Sequence, residues 1–167
     1  MCGILGSTRI KSYPAPYMAE VLDEIVLQVE NAQVLFNYIP SQKAEAEKIF
    51  ALCTKRTRKQ IFTNVYEKGL RGFILNCAFC DVYIGNEGGA ANIAKALSIP
   101  TFSIYSPLVR KQDWATYEDG IRNKSIHPGD LAAEVPASYK NLKPEYFCNQ
   151  LRDFLQKNIR QKIKNPY

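Results

Sequence analysis

Short apolar stretches alternate with helical stretches along most of the chain, and this alternation limits its possible folds more than any other feature. Consecutive strand–helix units predict a parallel sheet with helices on both faces, and right-handed crossovers make it a doubly wound α/β sheet. Residues 106–144, which contain several prolines, are predicted to be irregular. The five predicted strands are 2–6, 33–39, 60–63, 81–85 and 100–105, and the predicted helices are 15–28, 41–52 with Ser41 as its cap, 69–80, 90–98 and 144–162.

Length and composition fit one domain over residues 1–167. The chain has 167 residues, of which 46% are hydrophobic, which is enough for a packed core and excludes disorder over most of the chain. No stretch approaches the ~18 consecutive apolar residues of a membrane span. A secretory signal pattern is also missing from the first residues.

Five cysteines, an odd number, indicate reduced thiols in a cytoplasmic protein. Cys77 and Cys80 form a CxxC pair, but the chain has one histidine, His127, and no second CxxC. We therefore expect these two cysteines to pack in the interior and not to bind zinc or exchange disulfides.

Positive charge is concentrated in two segments of a chain whose net charge is +6. Residues 55–71 carry a net charge of +5 and residues 151–167 a net charge of +4. Such patches suit an anionic partner, whether a nucleotide, a phosphorylated glycolipid or a membrane surface, but a solvated helix face and tail explain them equally well. No nucleic-acid-binding motif accompanies them, so we expect no nucleic-acid partner.

A glycine turn from Gly85 to Asn92 joins a predicted strand to a predicted helix. Ligands of such sheets bind at the carboxyl ends of the strands, which indicates loops 6–12, 64–69 and 85–90. Glycines let the main chain approach a ligand, and a helix start offers free N–H groups to a pyrophosphate. Glu87 is better placed to accept hydrogen bonds from a sugar or ribose hydroxyl. A tight turn without a ligand remains the alternative.

Three stretches, taken together, resemble the glycosyltransferase family 9, the ADP-heptose:lipopolysaccharide heptosyltransferases. Residues 6–14 are similar to the family's loop in which a lysine is followed by an aromatic residue and proline. Residues 81–97 are similar to its signature of strand, acid, small residues and helix. Residues 99–107, with Trp114 beyond them, are similar to the strand and loop that follow.

The resemblance implies roles for residues at matching positions. Lys11 would stabilise the charge of the diphosphate leaving group, and Glu87 would bind donor hydroxyls. The remaining donor-binding positions carry hydroxyl groups or main-chain amides that would contact phosphate: Ser7, Thr8, Gly88, Gly89 and Ala90. The alternatives are an ordinary surface lysine at position 11 and simple turn capping at Ser7 and Thr8.

Four further positions are weaker candidates. Glu67 is the nearest acid after the third strand, where family members also use one. Asn92 stands where many members have a histidine. Tyr105 and Ser106 end the fifth strand and would line a nucleobase pocket, unless they are only a strand end.

The family folds as two Rossmann-like halves, so the resemblance implies that this chain is the C-terminal, donor-binding half of a GT-B enzyme. The N-terminal half, which binds the acceptor and supplies the general base, would precede residue 1. Transfer of a heptose-like sugar from an ADP-sugar to a lipopolysaccharide core would be inverting and would need no metal or other cofactor. The isolated chain would bind the donor and transfer nothing.

The expected location is the cytoplasm, at the cytoplasmic face of the inner membrane, where the basic tail 157–164 would contact anionic lipid near a glycolipid acceptor. Two other functions compete with this one. The first is a non-catalytic nucleotide-binding or interaction module that retains the fold. The second is an unrelated oxidoreductase domain, although the chain lacks GxGxxG.

Overall fold

A computed structural model describes residues 1–65, 69–131 and 137–159. Within them, six parallel strands form one sheet in the order β3-β2-β1-β4-β5-β6. This confirms the doubly wound α/β fold that the strand–helix alternation predicts. The strands are β1 (Cys2–Gly3), β2 (Val34–Asn37), β3 (Ile61–Phe62), β4 (Tyr83–Asn86), β5 (Thr101–Ile104) and β6 (Asn123–Ile126).

Helices cover both faces of the sheet. One face packs against α1 together with α2, α3 and α7, and the other carries α4 and α5. Because α1 leaves β1 toward one face and α5 leaves β4 toward the other, the winding direction reverses between these two adjacent strands. The helices are α1 (Ala15–Gln28), α2 (Lys43–Leu52), α3 (Lys55–Arg58), α4 (Gly69–Ala78), α5 (Gly89–Ala96), α6 (Lys111–Trp114) and α7 (Cys148–Asn158).

The larger core lies between the sheet and α1, α2 and α7. Phe102 on β5 stacks on Phe147 and contacts Phe154, so the closing helix is fixed to the strand beside the edge strand β6. The apolar face predicted for this helix is therefore confirmed, although Phe147 directly precedes α7 and a separate 3₁₀ turn, Pro144–Tyr146, comes before it. The last predicted residues of this helix, 160–162, lie outside the described residues, as does most of the basic tail.

Two predictions about local structure are wrong. The segment 106–144 contains α6 and the edge strand β6. Strand β6 has the sequence NKSI, without the apolar run or alternation that identifies a strand. Among the described residues it is the edge strand of the sheet and pairs with β5. Ser41 does not cap α2, because Pro40–Gln42 form a 3₁₀ turn and the helix begins at Lys43.

The cysteines of the CxxC pair lie at the end of α4. Cys77 is fully buried in the smaller core beside α5, and burial raises the pKa of its thiol. Cys80 is half-buried, and its thiol donates to the main-chain oxygen of Asn76. The prediction of interior packing is confirmed for Cys77.

The first basic segment begins with helix α3, and two of its arginines bind main-chain oxygens. Arg56 donates to Val26 at the end of α1, and Arg58 donates to Ala51 and Cys53 at the end of α2. These side chains bind where helix dipoles place negative charge, so much of this patch is explained by the fold. No helix among the described residues is long and apolar enough to cross a membrane.

Candidate functional site

The candidate site lies at the carboxyl ends of β1 and β4, where the winding direction reverses. Strand β1 pairs with β4 through Cys2 with Ile84 and Gly3 with Gly85. Gly85 has φ +143°, and a Cβ atom there would lie 2.2 Å from the main-chain oxygen of Gly3. Only glycine therefore allows the two strands to approach this closely just before the glycine turn.

Helix α5 begins with a main chain that is open to solvent. Gly88 has φ +132°, and a Cβ atom added at Gly88 or Gly89 would meet nothing within 4 Å. The first hydrogen bond that closes a turn of this helix runs from the Asn92 N–H to the Gly88 oxygen, 3.1 Å away. The amides of residues 89–91 precede that bond, as at any helix start, and are available to an anion.

The loop after β1 folds back tightly on itself. The Gly6 N–H donates to Ser12 Oγ at 3.0 Å, and the Ser12 hydroxyl donates to the Thr8 oxygen at 2.9 Å. A Cβ atom at Gly6 would lie 2.5 Å from the main-chain oxygen of Lys11. This fold leaves Ser7 and Thr8 exposed and Lys11 half-buried in a 3₁₀ turn.

Lys11 and Glu87 are brought near each other by these two loops. Burial raises the pKa of the Glu87 carboxyl, while the positive charge of Lys11 and a hydrogen bond from the main chain of Ser106 act to lower it. Burial has the larger effect. Lys11 and the amides that begin α5 are suited to bind phosphate groups. The Glu87 carboxylate is suited to accept hydrogen bonds from hydroxyl groups of the same ligand.

The four weaker candidates differ in how far they are exposed to solvent. Asn92 is exposed in the second turn of α5. Tyr105 and Ser106 are buried, and the Tyr105 hydroxyl donates to the Trp114 oxygen at 2.9 Å. Burial, with smaller effects from Glu118 and Glu87, raises the pKa of Tyr105 to about 12. Glu67 lies outside the described residues.

Three residues that sequence reasoning missed hold the loops together. Asn86 is buried, accepts from the Tyr13 N–H at 2.8 Å and donates to the Gly3 oxygen at 2.9 Å. Gln42 donates to the Gly6 oxygen at 2.8 Å and accepts from the Ile39 N–H. Tyr139 donates to the Lys11 oxygen at 2.9 Å. The bonds that these residues make to the loops of the site span 36 to 128 positions in the sequence, so local patterns carry no signal of them.

A hollow of about 400 Å³ opens on the side of α5 that faces α4. Gly89 and Ala90 lie at one end of it, so it adjoins the free amides of α5. Its walls are mainly apolar and also include Asn37 and Asn76. The larger apolar side chains are Met1, Leu35, Phe36, Tyr38, Ile39, Pro40, Val65, Leu70, Phe73 and Ile93. Tyr105 and Ser106 are not among the lining residues, so this apolar recess lies elsewhere than at the end of β5.

No group of three or more histidine, cysteine, aspartate or glutamate side chains suited to a metal ion occurs among residues 1–65, 69–131 and 137–159. The site as described consists of main-chain amides, hydroxyl groups, one lysine and one carboxylate. Such groups bind oxyanions and hydroxyls directly.

Comparison with known proteins gives a structural relationship alone. No protein-family model and no curated protein matches the chain. The solved structure of E. coli ADP-heptose lps heptosyltransferase II is similar, with a TM-score of 0.71 and 17% sequence identity. The match covers 93% of this chain and 45% of that enzyme, so the chain spans less than half of its length. The chain therefore has the fold of a Rossmann-like domain of a GT-B glycosyltransferase.

Proposed function

We propose that this chain is the donor-binding domain of a glycosyltransferase and that it binds an ADP-sugar at the carboxyl ends of β1 and β4. The observation that carries the proposal is the hydrogen bond from the Tyr13 N–H to Asn86 at 2.8 Å, which holds the loop of Lys11 beside the turn that carries Glu87 and begins α5. The likeness to a heptosyltransferase in fold supports the same interpretation. A heptose-like sugar and a lipopolysaccharide acceptor are the substrates that the sequence resemblance implies.

The diphosphate would lie against the start of α5. The amides of residues 89–91 have no acceptor within the helix, and the helix dipole adds partial positive charge at its start. The half-buried Lys11 supplies a full charge from the opposite loop, and the exposed hydroxyl groups of Ser7 and Thr8 lie in the same loop. As the glycosidic bond of the donor breaks, these groups would stabilise the negative charge that develops on the leaving nucleotide.

The nucleoside and the sugar would occupy the two sides of that diphosphate. The hollow beside Gly89 and Ala90 has an apolar lining and a size in the range of small-ligand pockets, and we assign the adenosine to it. The Glu87 carboxylate would accept hydrogen bonds from donor hydroxyl groups. An acceptor and a general base would come from a second domain, as the family resemblance implies, so we expect the chain alone to bind the donor without transferring sugar.

Calorimetric titration of the chain with ADP, NAD and inorganic phosphate tests this function. We expect binding of ADP, no comparable binding of NAD, and about a tenfold loss of ADP affinity or more in Lys11→Ala. Lys43→Ala is a suitable control, because Lys43 is exposed and forms an ion pair with the exposed Glu47 in the adjacent turn of α2.

Two outcomes would contradict the proposal. Wild-type protein that binds none of these ligands would favour the alternative of a non-catalytic interaction module. An ADP affinity that is the same in wild type, Lys11→Ala and Lys43→Ala would place the nucleotide elsewhere on the molecule. Binding of NAD in preference to ADP would favour a domain of the oxidoreductase type.

A further inference from the structure

The hydroxyl group of Tyr139 joins two loops of the candidate site. It donates to the main-chain oxygen of Lys11 at 2.9 Å, across 128 positions in the sequence. The Ser106 side chain lies close enough to the same hydroxyl to lower its pKa, although burial raises that pKa more. The Tyr139 hydroxyl thus binds the loop after β1 and lies beside the segment after β5.

Both segments lie next to the two charged side chains of the site, Lys11 and Glu87. Lys11 carries the cation itself, and the main chain of Ser106 is hydrogen-bonded to the Glu87 carboxylate. The Tyr139 ring is 8% exposed and packs edge-on against the ring of Tyr13, with 5.4 Å between ring centroids. The main chain of Tyr13 is in turn bonded to Asn86, directly before Glu87. The Tyr139 side chain is therefore held at two points, by the ring of Tyr13 and by the hydrogen bond of its hydroxyl group.

We propose that Tyr139 is a positioning residue of this site, whose hydroxyl sets the separation between the Lys11 ammonium and the Glu87 carboxylate. Tyr139 acts through the main chain of Lys11 and through Ser106 and has no contact with the nucleotide in this account. Its effect on nucleotide affinity rests on the proposed function, whereas its effect on the Lys11–Glu87 pair does not.

Tyr139→Phe tests the proposal, and Tyr13→Phe is its matched control. Both hydroxyl groups donate to a main-chain oxygen within the same aromatic cluster, but the Tyr13 hydroxyl donates to Leu142, in the turn that follows Tyr139, and the Tyr139 hydroxyl donates to Lys11 itself. The two changes remove the same atoms from neighbouring rings. Thermal unfolding of both variants then measures the structural cost that they share.

The first readout is the titration of the Glu87 carboxyl, followed by carbon-13 NMR without nucleotide. Loss of the Tyr139 hydroxyl frees Lys11 and Ser106 to move away from Glu87, so we expect the pKa of Glu87 to rise in Tyr139→Phe and to stay at the wild-type value in Tyr13→Phe. Ser106→Ala removes the other end of the link, and we expect a rise there too. An unchanged Glu87 titration in both folded Tyr139→Phe and Ser106→Ala would overturn the proposal.

The second readout is ADP affinity. We expect a loss of roughly three- to tenfold in Tyr139→Phe, the size of one net hydrogen bond, and none in Tyr13→Phe. In a Lys11→Ala background the further loss caused by Tyr139→Phe should be much smaller, because the lysine that it positions is gone. Equal losses in both backgrounds would contradict positioning through Lys11. If wild-type protein binds no ADP, the proposed function fails while the Glu87 titration still decides the role of Tyr139.

Discussion

The side-chain oxygen of Asn86 accepts a 2.8 Å hydrogen bond from the main-chain N–H of Tyr13, which is 73 residues earlier in the chain. The amide nitrogen of the same side chain donates to the Gly3 oxygen. Asn86 ends β4 directly before Glu87, and Tyr13 follows the loop that carries Lys11. One buried amide thus fixes the two loops of the candidate site to each other and to β1.

Replacing Asn86 with aspartate should destabilise the fold strongly. The carboxylate cannot donate to the Gly3 oxygen, and it would place a negative charge in a position that is 2% exposed. We expect a loss of about 3–5 kcal/mol in the free energy of unfolding at neutral pH, measured by urea denaturation. Asn92→Asp, on the exposed side of α5, should change it by less than about 0.5 kcal/mol. Equal effects of the two changes would disagree with the buried position of Asn86.

Alanine at Gly85 and at Gly89 should have different consequences. At Gly85 the new methyl group would collide with the Gly3 main chain at an unfavourable φ, and we expect a loss of at least roughly 2 kcal/mol. At Gly89 there is room, and alanine should leave the stability the same or raise it by up to about 1 kcal/mol. Urea denaturation measures both effects.

The same Gly89→Ala variant should nevertheless bind ADP more weakly, because its methyl group would occupy space next to the proposed diphosphate. Calorimetry on the folded variant checks this. Full ADP affinity in Gly89→Ala would argue that the nucleotide does not approach the main chain there.

The raised pKa of Glu87 predicts a pH-dependent difference between wild type and Glu87→Gln. Because the folded-state pKa lies above the ordinary value of 4.5, ionisation of this carboxyl costs stability as pH rises through that folded value. Below the ordinary value the two proteins should be equally stable. Above the folded value Glu87→Gln, which cannot ionise, should be the more stable one.

Denaturant unfolding of both proteins between pH 4 and 7 measures this difference and removes the contribution of other titrating groups such as Asp119. A wild-type protein that gains stability relative to Glu87→Gln as pH rises would mean that Lys11 and Ser106 outweigh burial.

Arg58 and Lys59, neighbours in the first basic segment, should differ in their importance for folding. Arg58 donates to the main-chain oxygens of Ala51 and Cys53 at 3.0 and 2.9 Å, whereas Lys59 is exposed. We expect Arg58→Ala to cost about 1–2 kcal/mol and Lys59→Ala less than about 0.5 kcal/mol in unfolding experiments. Equal effects would show that the two carbonyl groups are satisfied as well by water.

Much of the fold could be predicted because its signals are local. Helix α1 has the predicted bounds, since its apolar residues recur every three to four positions and prolines mark its start. Strand β6 could not be predicted, because an edge strand needs little apolar surface. The prediction that Ser41 caps α2 is wrong, because Ser41 lies inside the 3₁₀ turn Pro40–Gln42 and the helix begins after that turn, at Lys43.

The candidate site was predictable in part. The glycine turn and Lys11 come from residue types and from the family resemblance, and the parallel topology brings their loops to one edge of the sheet. The residues that hold the loops together are different. Asn86, Gln42 and Tyr139 act through partners 36 to 128 positions away, and such pairs become visible only in the folded chain.

A crystal structure of this chain with ADP tests most directly whether the nucleotide binds at the carboxyl ends of β1 and β4. We expect the diphosphate to accept hydrogen bonds from the amides at the start of α5, with the Lys11 ammonium on its other side and the adenine in the hollow between α4 and α5. A nucleotide bound at another place, with the amides of residues 89–91 contacting solvent alone, would contradict it.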